Sequence, residues 1–294
     1  MKNKHLMKKS YKILGIVVLF HPPENMKENI LSYIHSLDKL ILWNNSLHEP
    51  IFSEKDSIYE EKIIEMGNGN NVGIGVALNE AVNHAKKFHY NFLLTMDQDG
   101  RFLDFSKYLD IVKRCVENEG ISIFTPNFII HNKELYVNKE PIIDVEASMT
   151  SGALYPIQIF NEIGIFRDDF FIDSIDIEFC LRAKRYGIPT KIVTAACLFH
   201  EAGYQKKKHK FLWKTFFPNE YSPMRSYYII RNSLITKSLY PDANCWKGFL
   251  YYWFYKRLFF VVLYEKSKIA KVKSLLLGYI HGKKGKTAYR YATG

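Results

Sequence analysis

Short apolar runs alternate with longer amphipathic segments between residues 13 and 125, and this alternation constrains the fold more than any other feature. The apolar runs predict strands at residues 13–20, 39–43, 62–66, 92–96 and 121–124. Apolar residues recur at helical spacing in segments 26–37 and 77–87. Strands that alternate with helices form a doubly wound, mostly parallel sheet, which binds ligands at the carboxyl ends of its strands. The sequence therefore predicts an α/β fold with a site at that edge.

The chain is long and apolar enough for a large core, with 294 residues of which 47% are hydrophobic. Its four cysteines are scattered without a CxxC pair, which favours reduced thiols in the cytosol. The basic residues 1–10 run directly into the apolar segment 13–20. That segment is too short to span a bilayer and no small-residue cleavage site follows it, so we expect a buried strand and no signal peptide.

Polar clusters follow three predicted strand ends, at residues 44–46, 67–75 and 97–99. The third is the strongest local signal, because an apolar strand ends in Asp97 and Asp99. Paired carboxylates at a strand end suit Mg²⁺ or Mn²⁺, which also hold a diphosphate. A turn capped by Asp residues is the alternative for the short motif alone. Three clusters at one edge indicate a single site.

A second acidic cluster lies at residues 170–182, beside several aromatic residues. Helical spacing places Asp173, Asp176 and, less well, Cys180 on one face, with Glu178 pointing away from Asp176. A partly desolvated carboxylate has a raised pKa and can accept a proton from a hydroxyl group. The alternative is a set of acids that interact with a helix N-terminus. Both hold together if Asp173 caps the helix and Asp176 acts as a base.

Two weaker signals accompany these clusters. The glycines of segment 68–75 allow backbone N–H groups to approach a nucleotide, although an ordinary connection between strand and helix is the more common use. His200 follows a predicted strand at residues 191–199 and is a candidate metal ligand, although a lone histidine is more often structural. Ser151 and Gly152 precede a predicted helix at residues 157–163.

Charge divides the chain into residues 1–203 and 204–294. The second region has 19 Lys and Arg against three Asp and Glu and is rich in aromatics, with helical patterning. Its most apolar stretch, residues 249–264, is interrupted by Lys256 and Arg257, which argues against a membrane-spanning helix. The pattern is typical of an interfacial helix on anionic lipid, or of a helix that packs its aromatics onto the first region. We expect no nucleic-acid partner, because no recognised motif occurs and the first region is acidic.

Taken in order, these motifs resemble the family two glycosyltransferases, which have the GT-A fold. The resemblance covers about the first two-thirds of the chain and is greatest to the bacterial rhamnosyltransferases of O-antigen and capsule assembly. It is carried by the following residues: Phe20-His21-Pro22, Leu42-Trp43-Asn44-Asn45-Ser46, Asn71-Val72-Gly73-Ile74-Gly75-Val76-Ala77-Leu78-Asn79, Asp97-Gln98-Asp99, Ser151-Gly152, Phe171-Ile172-Asp173-Ser174-Ile175-Asp176-Ile177-Glu178-Phe179-Cys180-Leu181-Arg182 and His200.

The resemblance implies a role for each matching residue. Asp99 is expected to coordinate the metal that bridges the donor diphosphate, with Asp97 near the ribose or a metal-bound water and His200 completing the site. Asp176 aligns with the catalytic base, and Asp173 is its rival because Ile175 stands where a Glu often precedes the base. Ser151 and Gly152 border the acceptor. The remaining donor-binding residues implied are Phe20, His21, Asn44, Asn45, Asn71, Gly73, Asn79 and Gln98, and Arg231 either reaches donor or acceptor or packs internally.

The expected function is that of an inverting glycosyltransferase with Mn²⁺ or Mg²⁺ as cofactor. It would transfer L-rhamnose from dTDP-rhamnose to a lipid-linked glycan in surface polysaccharide biosynthesis, at the cytoplasmic face of the membrane. UDP-linked galactose, galactofuranose or glucose is the alternative donor, and a catalytically inactive sugar-nucleotide or membrane-binding protein is the alternative class. A nucleotidyltransferase is disfavoured, because His21-Pro22-Pro23 is not a Gly-rich triphosphate loop.

Overall fold

The computed structural model describes residues 11–52, 57–137, 140–200, 209–211, 214–216, 220–248 and 254–287. Its strands are β1 (Ile13–Leu19), β2 (Lys39–Asn44), β3 (Ile63–Met66), β4 (Phe92–Asp97), β5 (Arg101–Phe102), β6 (Ile123–Ile130), β7 (Lys133–Glu134), β8 (Ile142–Val145), β9 (Ala153–Pro156), β10 (Thr190–Phe199), β11 (His209–Phe211) and β12 (Lys214–Phe216). Its α-helices are α1 (Met26–Leu31), α2 (Ser57–Glu60), α3 (Ile74–Lys87), α4 (Phe105–Glu119), α5 (Ile159–Glu162), α6 (Ile175–Arg185), α7 (Pro223–Leu239), α8 (Lys256–Tyr264) and α9 (Lys268–Lys283).

Ten strands form one central sheet, with the path β3-β2-β1-β4-β9-β6-β10-β5 and with β7 and β8 added beside β6 and β10. Strands β3, β2, β1 and β4 pair in parallel, as do β6 and β10. Strand β9 is antiparallel to both β4 and β6, so β4 and β6 run in the same direction. The six strands other than β9 in these pairs therefore all point the same way. The predicted α/β fold with a mostly parallel sheet is confirmed, and the carboxyl ends of six strands meet at one edge.

Helices cover both faces of the sheet. Successive residues of a strand point to opposite sides, and both sides carry apolar residues that must be buried. In β1, Val17 packs with helices α1 and α4 on one face, whereas Ile16 packs with α3 and α6 on the other. Ile235 of α7 lies in this second core, and a third apolar cluster joins α6 to α7, α8 and α9. The C-terminal helices are thus attached to the α3 and α6 side of the sheet.

Several elements differ from the sequence prediction. The helix predicted for residues 26–37 ends at Leu31 and is followed by a 3₁₀ turn at Ile34–Ser36. The helix predicted for residues 157–163 is reduced to the single turn of α5, and β9 precedes it. Apolar residues alone did not separate that short strand from the turn after it, since a short apolar run fits either structure.

The C-terminal region is mainly helical, as predicted, but it also contains the hairpin of β11 and β12. Among the residues described, no helix is long and apolar enough to cross a membrane. The basic segment 1–10 and residues 249–253 of the apolar stretch lie outside the described part of the chain. The domain boundary after residue 203 remains a prediction.

Candidate active site

Asp97, Asp99 and His200 meet at the carboxyl edge of the sheet, where β4 and β10 end. One ligand atom from each residue lies within 4.8 Å of the other two. Nδ1 of His200 is 3.4 Å from Oδ1 of Asp99, is buried, and hydrogen-bonds to no residue that the structure describes. A buried nitrogen of this kind beside two carboxylates fits a divalent metal ion.

Two side chains fix the turn that carries Asp97 and Asp99. Gln98 pairs with the backbone of Phe20, accepting from its N–H at 3.0 Å and donating to its carbonyl oxygen at 3.1 Å. Ser151, which is fully buried, accepts a hydrogen bond from the amide of Asp97 through Oγ at 3.3 Å. Gln98 and Ser151 thus hold the turn of residues 97–99 against the end of β1 and the start of β9.

Asp176 is the second residue of α6 and lies close to this turn. Burial raises the pKa of Asp176 to about 6, and the charges of Asp173 and Asp97 add to the rise while the amide of Ile177 opposes it. That amide donates to Oδ1 of Asp176 at 2.8 Å. Within the described residues Asp176 has no ion-pair partner, so it is an acid that can exchange a proton near neutral pH.

Asp173 is not on the same helix face as Asp176, and that part of the sequence prediction was wrong. Helix α6 begins at Ile175, and Asp173 precedes it with φ of 64°. Its carboxylate pairs with Arg225 of α7, with Oδ1 3.2 Å from Nη2. Burial raises the pKa of Asp173, and Arg225 opposes that rise.

The polar residues near β2 and α3 divide into exposed and structural groups. Asn44, Asn71, Phe20 and His21 are at least partly exposed at the sheet edge. The buried amide of Asn45 instead accepts from the indole of Trp43 at 3.0 Å and donates to the carbonyl oxygen of Gly73 at 3.3 Å.

Asn79 also has both polar ends occupied inside the protein. Its side chain exchanges two hydrogen bonds of 2.9 Å with the backbone of Phe166. The side chains of Asn45 and Asn79 therefore hold loops, and the structure does not bring Asn79 to the edge where Asp97 lies.

Two further residues of the second acidic cluster and its surroundings are internal. Glu178 points away from Asp176, as predicted, and forms a buried ion pair with Arg182 at 2.7 Å while accepting from Tyr240 at 2.9 Å. Arg231 is fully buried and donates to the carbonyl oxygen of Asp169 at 2.6 Å. Of the two uses weighed for Arg231, internal packing is the one that the structure shows.

Sequence reasoning missed Arg225 and Asn232, which both approach the acidic cluster from α7. A local signal for the helix existed, since Ser222 caps it and Pro223 occupies its first turn. The contact to Asp173 is made across the tertiary fold, so residue spacing could not reveal it.

The arrangement combines three capabilities at one edge of the sheet. The cluster Asp97, Asp99 and His200 can bind a divalent cation, and a cation there can hold a diphosphate. Asp176 can accept a proton from a hydroxyl group placed next to it. Together these are the parts that a group transfer from a nucleotide diphosphate to a hydroxyl requires.

Solved structures with a similar fold include the glycosyltransferases GalNAc-T7 and TarS. GalNAc-T7 with UDP, GalNAc and Mn²⁺ matches with a TM-score of 0.59 and 12% identity over 95% of this chain, which spans 54% of that one. S. aureus TarS 1-349 in complex with UDP-GlcNAc matches with a TM-score of 0.57 and 14% identity over 90% of this chain and 79% of that one. The predicted GT-A fold is confirmed.

The sequence is similar to that of a bacterial protein along almost the whole length of both chains. The chain is 25% identical over 299 residues to the Shigella flexneri protein named dTDP-rhamnosyl transferase RfbF, covering 94% of this chain and 96% of the relative. No family model matches the sequence. With the fold and the acidic site, this full-length similarity identifies the protein as a GT-A glycosyltransferase.

Proposed function

We propose that the protein transfers L-rhamnose from dTDP-rhamnose to a glycan hydroxyl group with inversion at the anomeric carbon. The donor is suggested by the name of the relative, which is similar along almost its whole length. The single observation that carries the reaction class is the position of Asp176, a half-buried acid with a pKa raised to about 6 beside the cluster that contains Asp97.

Asp176 is assigned as the general base. At neutral pH its carboxylate is ionised and accepts the proton of the acceptor hydroxyl as that oxygen bonds to the anomeric carbon. The bond from the anomeric carbon to the diphosphate oxygen breaks, and the nucleoside diphosphate leaves with the bonding electron pair. One displacement of this kind inverts the configuration.

Asp97, Asp99 and His200 are assigned as the residues that would hold Mn²⁺ or Mg²⁺. The fit rests on three ligand atoms within 4.8 Å of one another and on the buried, unbonded Nδ1 of His200. A bound divalent cation supplies charge stabilisation for the departing diphosphate. The exposed Asn71, Phe20 and His21 and the partly exposed Asn44 are assigned to the donor, and Ser151 and Gly152 to the border of the acceptor site.

Turnover of a donor panel tests this assignment. Purified protein is given dTDP-rhamnose and UDP-linked galactose, galactofuranose, glucose and N-acetylglucosamine, with Mn²⁺, with Mg²⁺ and with chelator, and released nucleoside diphosphate is scored. We expect release from dTDP-rhamnose alone, which chelator abolishes. Release only from a UDP sugar would favour the donors found in the structural relatives, which bind UDP or UDP-GlcNAc. Donor binding without release, in the presence of membrane-extracted acceptor, would favour a binding protein.

The acceptor is proposed to be a lipid-linked oligosaccharide, reached from the cytoplasmic face of the membrane as a step in surface polysaccharide assembly. The supporting feature is the outer face of α8 and α9. Large apolar side chains there are about half exposed, among them Phe259 at 44%, Leu276 at 47% and Ile280 at 48%. Lys256, Lys266, Lys268, Lys273, Lys283, Lys284 and Lys286 are exposed around them.

The charge of that face favours an anionic lipid surface as its partner. Within residues 254–287 the sole acid is Glu265, whose side chain is buried between Arg257 and Lys271. Lysines beside exposed apolar side chains bind anionic membranes through both charge and apolar contact. The basic, aromatic composition of the C-terminal region predicts either such a face or a helix that packs on the first region.

Vesicle co-sedimentation tests the membrane proposal. We expect binding to vesicles that contain phosphatidylglycerol, no binding to phosphatidylcholine alone, and release at high salt. The double variant Lys273→Glu/Lys284→Glu should weaken binding at least about tenfold, since each basic residue contributes about 1 kcal/mol near the surface. The matched control is Lys107→Glu/Lys113→Glu on α4. Equal loss in both variants, or no binding by the native protein, would refute it.

A further inference from the structure

The turn that delivers Asp176 to the site has a strained backbone. Phe171, Asp173 and Ser174 precede α6 with φ values of 63°, 64° and 62°. Residues other than glycine in such conformations each cost about 1–3 kcal/mol and persist only where the surroundings hold them. We call residues 169–174 the acidic turn. Contacts from the rest of the protein must therefore supply the stabilisation that offsets the strain of this turn.

Asn232 of α7 supplies the densest of those contacts. It is fully buried, and its Nδ2 donates to the carbonyl oxygens of Phe170 at 2.8 Å, Ile172 at 2.7 Å and Asp173 at 3.0 Å. A side-chain amide has two hydrogens, so three oxygens share them. One side chain thus satisfies three backbone acceptors in the acidic turn.

Neighbouring residues of α7 hold the same turn and orient the amide. Arg231 donates from Nε to Oδ1 of Asn232 at 2.8 Å, which directs Nδ2 toward the carbonyl oxygens, and from Nη2 to the carbonyl oxygen of Asp169. Oγ of Ser233 lies 3.0 Å from Oγ of Ser174. Three consecutive residues of α7 therefore bind the turn along its length.

We propose that Asn232 is a positioning residue for Asp176, which it keeps in place through the acidic turn without touching substrate. This inference rests on the proposed role of Asp176 as the base. Only two residues, Ser174 and Ile175, separate the last carbonyl oxygen that Asn232 binds from Asp176. A shift of about 1 Å in a catalytic group costs about 100-fold in rate, so loosening the turn acts on the chemical step.

The variant Asn232→Asp tests this with little change in shape. The carboxylate keeps its acceptor toward Arg231 but has no hydrogen to donate to the three carbonyl oxygens. The matched control is Thr236→Val, which removes a buried hydroxyl one turn further along α7. Oγ1 of Thr236 donates at 2.8 Å to the carbonyl oxygen of Asn232, within the helix, and is not bonded to the acidic turn.

We expect Asn232→Asp to lower kcat about 100-fold, with KM for the donor within about threefold of native. Its thermal midpoint should fall below that of Thr236→Val, because the buried carboxylate faces three carbonyl oxygens. A kcat equal to that of Thr236→Val, or a loss confined to KM, overturns the proposal. If Asn232→Asp does not fold, Ser233→Ala is tested instead, because it removes the adjacent hydrogen bond to Ser174. The proposal then requires that kcat falls, by less than the drop expected for Asn232→Asp, while KM stays unchanged.

Hydrogen exchange supplies a readout that is independent of turnover. Amides of residues 171–174 should exchange faster in Asn232→Asp than in Thr236→Val, whereas the amides of β4 should be unaffected. Native protein is assayed alongside: no native turnover would count against the proposed function, whereas native turnover with unimpaired Asn232→Asp would count against the positioning role alone. Unchanged exchange in the acidic turn would also overturn it.

Discussion

Nη2 of Arg225 lies 3.2 Å from Oδ1 of Asp173. This ion pair distinguishes Asp173 from Asp176, the two acids that the sequence offers as the catalytic base. A carboxylate held by a cation is a weaker base, because the cation favours its ionised form. Asp176 has no ion-pair partner among the described residues, and burial raises its pKa to about 6. The pair therefore favours Asp176 as the proton acceptor and gives Asp173 a structural contact with α7.

Asp176→Asn should abolish most transfer while leaving donor binding intact. The amide keeps the size of the side chain but cannot accept the proton, and loss of a general base costs about 10²–10⁴-fold. Measured kcat should fall in that range, with the dissociation constant for dTDP little changed. Asp168→Asn is the control, since Asp168 is an exposed acid of the same loop. Retention of full kcat in Asp176→Asn, or equal losses in both, would contradict the assignment.

The rate should fall as the pH drops below about 6, because Asp176 must be ionised to act and burial raises its pKa to that value. Well below that point kcat should decrease about tenfold per pH unit. A flat profile between pH 5 and pH 8 would contradict this. The profile is measured at saturating donor, with thermal unfolding recorded at each pH to exclude loss of the fold.

Ionisation of Asp176 should lower the stability of the fold as the pH rises, although the same ionisation raises the rate. The folded pKa of Asp176 lies above its ordinary value of 3.8, so folding favours the protonated form and this contribution is lost as the pH rises through about 6. Asp176→Asn removes the titration. Its thermal midpoint should match that of native protein near pH 4 and exceed it by several degrees, roughly 2–4 °C per kcal/mol, above pH 6. A difference independent of pH would contradict the shift.

Local patterns predicted the part of the site that lies on strand ends. Asp97 and Asp99 come at the end of an apolar run that predicts a strand, so the sequence places them at the sheet edge. His200 follows a second apolar run in the same way. The acidic turn was not predictable in the same way. Its positive φ values at residues 171, 173 and 174 contradict local preference and are held by Asn232, which lies far along the chain.

Asp99→Ala and His200→Ala should each weaken Mn²⁺ binding. Both residues offer ligand atoms to the same cluster, and Nδ1 of His200 is buried without a hydrogen bond to any described residue. A ligand that binds only the folded state raises the thermal midpoint, so titrating Mn²⁺ should stabilise native protein and stabilise each variant much less. Asp110→Ala, an exposed acid of α4, is the control. Equal stabilisation of all four proteins would argue against a site here.

Glu265→Gln should destabilise the C-terminal helices. Glu265 has 0% side-chain exposure and pairs with Arg257 and with Lys271, the latter at 2.8 Å. Removing the one negative charge leaves two buried cations uncompensated, which costs about 3–5 kcal/mol. Urea unfolding measures this against Glu220→Gln, an exposed acid. A loss below about 1 kcal/mol would show that water or another group compensates the cations.

Gly73→Ala and Gly120→Ala form a matched pair that tests the packing behind the site. Both glycines have positive φ, 89° and 90°, so a side chain is strained at either position. An added Cβ at Gly120 meets nothing within 4 Å, whereas at Gly73 it comes within 2.7 Å of the carbonyl oxygen of Phe171. That same oxygen accepts from the amide of Ile74 at 2.7 Å, so Gly73 lies where α3 contacts the acidic turn.

Gly120→Ala should therefore cost about 1–3 kcal/mol of backbone strain with unchanged kcat. Gly73→Ala should cost more and also lower kcat, because the turn that carries Asp176 must move to admit the methyl group. Denaturant unfolding and donor turnover measure the two effects. If the two variants lose the same stability and neither changes kcat, the contact between Gly73 and Phe171 does not position the base.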